Sequence, residues 1–100
     1  MHFSALVAHF LAGALLANGV PHFVSGVLGR RFRTPFVRVH GGEVSSAGLN
    51  VFWGWLNFVV AIALFLCVGP FSAADSSDLV AAGVGVLLAG LALARIFASE

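Results

Sequence analysis

The sequence predicts an all-α integral membrane protein, with three transmembrane helices in a single domain of residues 1–100. Two observations carry this prediction. Hydrophobic residues make up 60% of the chain and charged residues only 9%, whereas roughly a quarter of the residues in soluble domains are charged. The apolar residues also form three blocks, and the charged residues are almost confined to the segments between and after them. A domain of this size could not bury so much apolar surface in water.

The first block predicts a helix at about residues 3–28. It carries no formal charge and exceeds the roughly 20 residues that span the hydrocarbon core. Pro21 lies inside it and predicts a kink, because proline lacks a backbone N–H group and clashes with the carbonyl four residues earlier. The block lacks the basic start and short apolar length of a signal peptide. We therefore expect it to remain as a helix.

Two further helices are predicted beyond the first. The remaining segments are a loop at 29–45, a helix at about 46–69, a turn at 70–78 and a helix at about 79–98. Ser45 or Ser46 can cap the second helix, and Gly69-Pro70 ends it. An aspartate or serine of the following turn can cap the third.

The arginines predict the orientation in the membrane. Four of the five basic residues lie in the loop after the first helix, and Arg95 lies near the end of the third. The positive-inside rule therefore predicts a cytoplasmic loop, a cytoplasmic C-terminus and an external N-terminus. We expect the loop arginines to contact anionic lipid headgroups; they are Arg30, Arg31, Arg33 and Arg38. A net charge of +1 does not favour a nucleic-acid partner.

Polar side chains inside the apolar blocks predict an intramembrane cluster. Its candidate members are Asn18, His22, Ser25, Asn50 and Asn57. At 1.5 Å per residue, His22 and Asn57 lie roughly 10 Å from the cytoplasmic ends of their helices, and Asn18 lies roughly 15 Å from that end. A polar group in lipid needs a partner. We therefore expect Asn18 or His22 to reach Asn57 and to fix the packing of the first helix on the second.

Four histidines suggest haem or a metal ion as an alternative. The candidate ligands inside the membrane are His9 and His22, which are 13 residues apart and thus lie on nearly opposite faces of a straight helix. No Cys, Asp or Glu side chain is expected beside them, and a zinc site usually needs three or four ligands. We therefore predict no metal and no cofactor, and haem remains the alternative.

Small residues along the third helix predict close helix packing. Gly85, Ala89 and Gly90 are the main candidates, because small side chains let helix backbones approach each other in a membrane. We expect this helix to contact more than one neighbour. A homo-oligomer, or a complex with another membrane subunit, would provide the additional contacts.

Several segments together are similar to a known family. They are Asn18-Gly-Val-Pro-His-Phe23, Gly29-Arg-Arg-Phe-Arg-Thr-Pro-Phe36, Ser45-Ser46 and Asn50-Val-Phe-Trp-Gly54. This pattern, which covers roughly Leu16 to Asn57, resembles a family of short, uncharacterised bacterial integral membrane proteins. The resemblance implies a location in the bacterial inner membrane and carries no activity or residue role with it.

Three functions remain open from the sequence. The first is a structural or interaction role, as a self-associating protein or an accessory subunit. The second is an oligomeric transporter or channel, whose proton or solute pathway would run through Asn18, His22 and Asn57, since ionisable groups and broken helices at membrane depth are typical of such proteins. The third is a haem- or metal-binding protein. The sequence contains no evident nucleophile–base pair, carboxylate dyad or phosphate-binding loop, so an enzyme is not expected.

Overall fold

The computed structural model describes residues 3–35, 45–69, 71–72 and 74–98. Within these residues it contains three helices, α1 (Phe3–Val27), α2 (Ala47–Cys67) and α3 (Ser76–Ala98). Each of them is long and apolar enough to cross a membrane, which confirms the predicted all-α class and the three predicted spans. Pro21 lies inside α1, and the kink expected there stays a prediction.

Helix α1 ends in a glycine turn that the sequence explains. Gly29 has a φ of 74°, a left-handed conformation that glycine adopts without steric cost. The Arg30 N–H group donates to the Ser25 carbonyl at 2.9 Å, which is the six-residue bond of a Schellman motif. The chain thereby leaves the helix axis directly after the apolar block.

Helix α2 begins at a serine cap, as the sequence predicts. The Ser46 side chain accepts a hydrogen bond from the Leu49 N–H group at 3.2 Å, which satisfies one of the free donors at the helix start. Just before it, Phe32 and Ser45 form an isolated antiparallel bridge. This bridge closes the loop that joins α1 to α2.

Helix α3 begins earlier than the sequence predicts. It starts at Ser76, three residues before the approximate start at residue 79 expected from the sequence. The reason is the position of the cap: the Asp75 carboxylate accepts from the Ser77 N–H group at 2.9 Å, and the Asp75 carbonyl accepts from Leu79. Asp78 therefore lies in the first turn of the helix, and its side chain is not used as the cap.

Helix α1 lies between the other two. Both α2 and α3 pack on α1, while the backbones of α2 and α3 do not approach each other within the described residues. Neighbouring pairs along the helices show that α2 runs antiparallel to α1 and that α3 runs parallel to it. A groove therefore remains between α2 and α3, with α1 as its floor.

Glycines allow both helices to approach α1 closely. A Cβ atom on Gly13 would collide with the Ala82 carbonyl of α3, and one on Gly85 would collide with the Phe10 carbonyl of α1. On the other side of α1, a Cβ on Gly54 would lie 2.9 Å from the Gly19 carbonyl oxygen. Such backbone contact is how helices associate in lipid, where burial of apolar surface provides no driving force.

Candidate functional site

Two polar clusters, each centred on a histidine of α1, occupy opposite ends of the helix bundle. The first, called the His9 cluster, consists of His9, Gly69, Ser72 and Asp78. His9 Nδ1 lies 3.0 Å from Asp78 Oδ1, and His9 Nε2 lies 2.6 Å from the Gly69 carbonyl oxygen. The Ser72 N–H group donates to Asp78 Oδ2 at 3.0 Å. Because these residues come from α1, the end of α2 and the start of α3, the cluster joins all three helices at one end.

The hydrogen-bond partners determine how protons are arranged in the His9 cluster. The Gly69 carbonyl can only accept, so His9 Nε2 carries a hydrogen. A second proton then lies between His9 Nδ1 and Asp78 Oδ1, either on the ring as an ion pair or on the carboxyl group. Both arrangements leave the pair with no net charge. This suits its burial, since only 1% of His9 is exposed and an isolated buried charge is costly.

Aromatic rings enclose the His9 imidazole. The ring centroid of Phe65 lies 5.9 Å from that of His9, and Phe71 meets the imidazole edge-on at 5.5 Å. With both nitrogens hydrogen-bonded, His9 has no lone pair to offer a metal or a substrate unless one of these bonds breaks. The arrangement is suited to holding helices together.

The expectation that no acidic side chain lies beside the histidines is wrong, because Asp78 contacts His9. The physical reason is that Asp78 lies in the first turn of α3 and not in the turn before it. One signal in the sequence could have revealed the pair. His9 is about two turns from the start of α1, at the same membrane side as the start of the third helix.

The second group of residues, called the His22 cluster, consists of His22, Phe32, Ser45, Asn50 and Phe97. His22 Nδ1 bonds to Asn50 Oδ1 at 3.0 Å, so the imidazole links α1 to α2. Its ring contacts Phe32 edge-on at 5.3 Å, and Phe32 in turn lies 4.7 Å from Phe97 of α3. The three helices and the start of the loop thus meet at this end as well.

Asn50 holds the loop closed and is fully buried. Its Nδ2 group donates to the carbonyls of Phe32 at 2.9 Å, Ser46 at 3.0 Å and Ser45 at 3.2 Å. The two chain segments joined by the Phe32–Ser45 bridge are therefore tied to the first turn of α2. The amide assignment also fixes the tautomer of His22, because Asn50 Oδ1 can only accept.

Asn18 and Asn57 form the expected contact between α1 and α2. Asn18 Nδ2 donates to Asn57 Oδ1 at 2.9 Å, and Asn57 Nδ2 donates to the Trp53 carbonyl of its own helix at 2.8 Å. The prediction that Asn18 or His22 reaches Asn57 is thus confirmed through Asn18. His22 bonds to Asn50 instead, and Ser25 contributes its backbone carbonyl to the end of α1.

The Asn18–Asn57 bond supports a prediction about stability. Asn57→Leu should lower the unfolding free energy by about 0.6 kcal/mol, the average measured for hydrogen bonds between membrane helices. The loss should not add to that of Asn18→Leu, because both remove one bond, whereas it should add to that of His22→Leu. Unfolding of the purified variants in mixed micelles measures all three values. Additive losses for Asn18 and Asn57 would contradict the pairing.

Of the other site residues predicted from the sequence, some are exposed and one is buried against another helix. Arg30, Arg31 and Arg33 are exposed on the chain that follows α1, and Arg38 lies outside the described residues. Of the predicted packing residues on α3, Gly85 is buried against α1 of the same chain. Ala89 faces the groove between α2 and α3, and Gly90 is exposed with open space around its Cβ position.

An apolar layer separates the two histidine clusters. From Phe10 to Ala17, α1 carries only apolar residues or glycine, as do the facing parts of α2 and α3. His9 and Asn18 are therefore about 13 Å apart along α1, at 1.5 Å per residue. Glycine contacts to α3 fill part of this layer. A proton or solute pathway through one chain would have to cross it without a polar side chain.

A comparison of the chain with protein-family models, curated proteins and solved structures found no match. Within the described residues, no group of three or more His, Cys, Asp or Glu side chains is placed to hold a metal ion. The His9 cluster connects the three helices through hydrogen bonds, whereas the His22 cluster connects α1 to α2 through hydrogen bonds and reaches α3 through the ring of Phe97.

Proposed function

We propose that the chain is a small structural protein of the bacterial inner membrane that acts by associating with itself through α3. The observation that carries the proposal is the one-sided attachment of α3. Among the described helices, α3 packs on α1 alone, and its buried residues are Asp78 and Gly85, both of which face α1. Most of a long apolar helix is therefore available to another protein in the membrane.

The outward face of α3 carries two glycines that are not packed against the described part of the chain. No described atom lies within 4 Å of the Cβ positions of Gly83 and Gly90, and with Ala94 they lie on one side of the helix, at spacings of seven and four residues. Glycine costs about 1 kcal/mol relative to alanine in a helix interior. The other glycine of α3, Gly85, allows close backbone contact with α1. By the same chemistry, Gly83 and Gly90 suit close contact with a second copy of α3.

The polar groups of the membrane segments support a structural role. His9, Asn18, His22, Asn50 and Asn57 each form a hydrogen bond within the chain. These groups connect helices that already lie together, and an apolar layer separates the two ends. Because the polar side chains bond within the chain, a partner in the membrane would contact the apolar surface.

The arginines support an orientation with the loop and the C-terminus in the cytoplasm. Arg30, Arg31 and Arg33 follow α1, and Arg95 lies in the last turn of α3, which runs parallel to α1. All of these charges lie at the end of the bundle that holds the His22 cluster. A reporter fused after Glu100 should give a cytoplasmic signal, and a periplasmic signal would contradict the orientation.

The experiment that tests self-association is the mass of the protein in mild detergent. We expect the wild-type chain to form a homo-oligomer. Gly90→Leu should shift it to the monomer, because the new side chain holds a second helix away. The fold of each chain should be unaffected, since a Cβ at this position has no described atom of the same chain within 4 Å.

The matched control changes an exposed leucine of the same helix, which lies on another face. Leu91→Ala removes apolar surface next to Gly90 without blocking close approach, and it should leave the oligomer intact. A wild-type chain that is monomeric at all accessible protein concentrations would contradict self-association. A stable complex with a different membrane protein would then favour the accessory-subunit alternative.

A further inference from the structure

His22 has a hydrogen-bond acceptor that the described part of the chain does not use. Its Nδ1–H group donates to Asn50 Oδ1 at 3.0 Å, because that oxygen can only accept. An isolated buried charge is costly, so the ring is neutral and Nε2 carries a lone pair. None of the described residues forms a hydrogen bond with Nε2, although only 3% of His22 is exposed. A buried acceptor in this state is suited to a ligand that donates a hydrogen bond.

The Nε2 atom of His22 borders a cavity. It is not one of the sealed polar atoms without a partner among the described residues, so open space reaches it. That space is a cavity of about 500 Å³ at the loop end of the groove between α2 and α3, and His22 lines it. Its volume lies in the range of small-molecule sites. The bond to Asn50 and the edge-on contact with Phe32 hold the imidazole in one orientation.

The other walls of this cavity favour a neutral aromatic ring with a hydroxyl group. Trp53 and Phe97 line it, and aromatic side chains pack well against another ring. Arg33 and Thr34 line it as well, but each already has a partner within the chain. The polar group that remains to select a ligand is therefore the His22 acceptor, which requires an O–H or N–H donor.

A second cavity, of about 390 Å³, continues from Asn18 along α1 towards Leu11. Asn18 lines both cavities, and its amide already donates to Asn57. The second cavity is otherwise apolar, with Ala89 and Ala92 of α3 among its walls. It extends about 10 Å along α1, at 1.5 Å per residue. A hydrocarbon tail attached to a ring in the first cavity fits this apolar slot.

We propose that the two cavities bind one membrane quinol, an aromatic diol with a hydrocarbon tail. One hydroxyl donates to His22 Nε2, the ring lies beside Trp53 and Phe97, and the tail lies in the apolar slot. The corresponding quinone has a carbonyl oxygen in place of the hydroxyl. That oxygen cannot donate and would face the lone pair of Nε2, so the site selects the reduced form. The site lies in the groove between α2 and α3 and is independent of the outward face of α3.

The first test compares decylubiquinol with decylubiquinone, which share the ring and the tail and differ in the hydroxyl groups. Each is titrated, without oxygen, into the wild-type protein in mild detergent. Quenching of tryptophan fluorescence reports binding, because Trp53 lines the cavity. We expect the quinol to bind roughly tenfold more tightly than the quinone, as for one buried hydrogen bond. Equal affinities would overturn the proposal, and this comparison needs no variant.

The His22→Asn variant tests whether Nε2 is the acceptor. The asparagine amide lies near the position of Nδ1 and can still donate to Asn50, but the side chain has no atom at the position of Nε2. We expect quinol affinity to fall roughly tenfold and the difference between quinol and quinone to disappear. A preference for the quinol that persists in this variant would overturn the role of His22.

The Ala92→Phe variant tests the apolar slot. Its phenyl ring fills the space of the tail, and because Ala92 is exposed the fold should tolerate the change. Both forms of the probe should bind at least tenfold more weakly, since they share the tail. The matched control, Ala94→Phe, adds the same ring to the same helix at a residue that lines neither cavity, and it should bind as the wild type does. Equal losses for the two variants, or unchanged binding in Ala92→Phe, would overturn the slot.

Discussion

Gly85→Leu is expected to detach α3 from α1 and to produce one of the two largest losses of stability in the chain. A side chain at this position would collide with the Phe10 carbonyl and the Ala14 nitrogen of α1, which are backbone atoms that cannot rotate away. Overpacking of this kind costs typically about 1–3 kcal/mol and occasionally more. We expect the upper part of that range, because α1 is the one described helix on which α3 packs.

Unfolding of the monomer in mixed micelles measures the effect, and Gly83→Leu is its control. The two variants carry the same substitution in the same helix, but a Cβ at Gly83 meets none of the described atoms. Gly83→Leu should therefore be neutral or stabilising, since leucine has the better helix propensity. Similar losses for both variants would mean that the substitution acts on the helix itself and that the Gly85 contact with α1 is unimportant.

The contrast between these glycines shows what the sequence could predict and what it could not. The sequence predicts a close-packing role for both Gly85 and Gly90, since small residues in a membrane helix permit backbone contact. It does not determine which small residues of α3 face α1 of the same chain and which face outward. That choice depends on the rotation of α3 about its axis, which is fixed by Gly85 and by the Asp78–His9 contact in its first turn.

The sequence also predicts the polar contacts between α1 and α2 only in part. Depth along the helices predicts that Asn18 and Asn57 lie at one level, and the structure pairs them. His22 lies at a similar predicted depth as Asn57, yet it bonds to Asn50. Asn18 and His22 are one helical turn apart on α1, so they lie opposite different residues of the antiparallel helix α2. Asn50 also serves three loop carbonyls, a role that depends on the Phe32–Ser45 bridge and that helix periodicity does not reveal.

The second large effect concerns the His9–Asp78 pair. Asp78→Ala is expected to cost about 3–5 kcal/mol, the range for breaking a buried ionic pair by removing one partner. Two groups lose their bonding partner at once, the His9 Nδ1 atom and the Ser72 N–H group. The side chain of His9 is only 1% exposed, so water cannot replace the lost acceptor. The combination with His9→Ala should cost less than the sum of the single changes, because both remove one network.

The Asp78→Asn variant tests whether the His9 cluster needs a carboxylate group or only its hydrogen bonds. An asparagine fits the same space, and its amide can donate to His9 Nδ1 while its carbonyl accepts from the Ser72 N–H group. His9 then remains neutral and keeps its bond to Gly69. Every hydrogen bond of the cluster is retained without a carboxylate, so we expect a loss of only about 1 kcal/mol, comparable to one net hydrogen bond. Asp75→Ala, which removes the cap three residues earlier, should cost about 1 kcal/mol and gives the scale of a purely local change.

Thermal unfolding in detergent and proton flux into liposomes should be measured on the same Asp78→Asn protein. If the cluster only joins helices, the variant should be nearly as stable as the wild type, and neither protein should carry protons above the background of empty liposomes. A loss of stability as large as that of Asp78→Ala would show that the cluster needs an ionised carboxylate. Flux in the wild type that disappears in a stable Asp78→Asn variant would contradict the structural role, because the shared proton of His9 and Asp78 would then be one that moves.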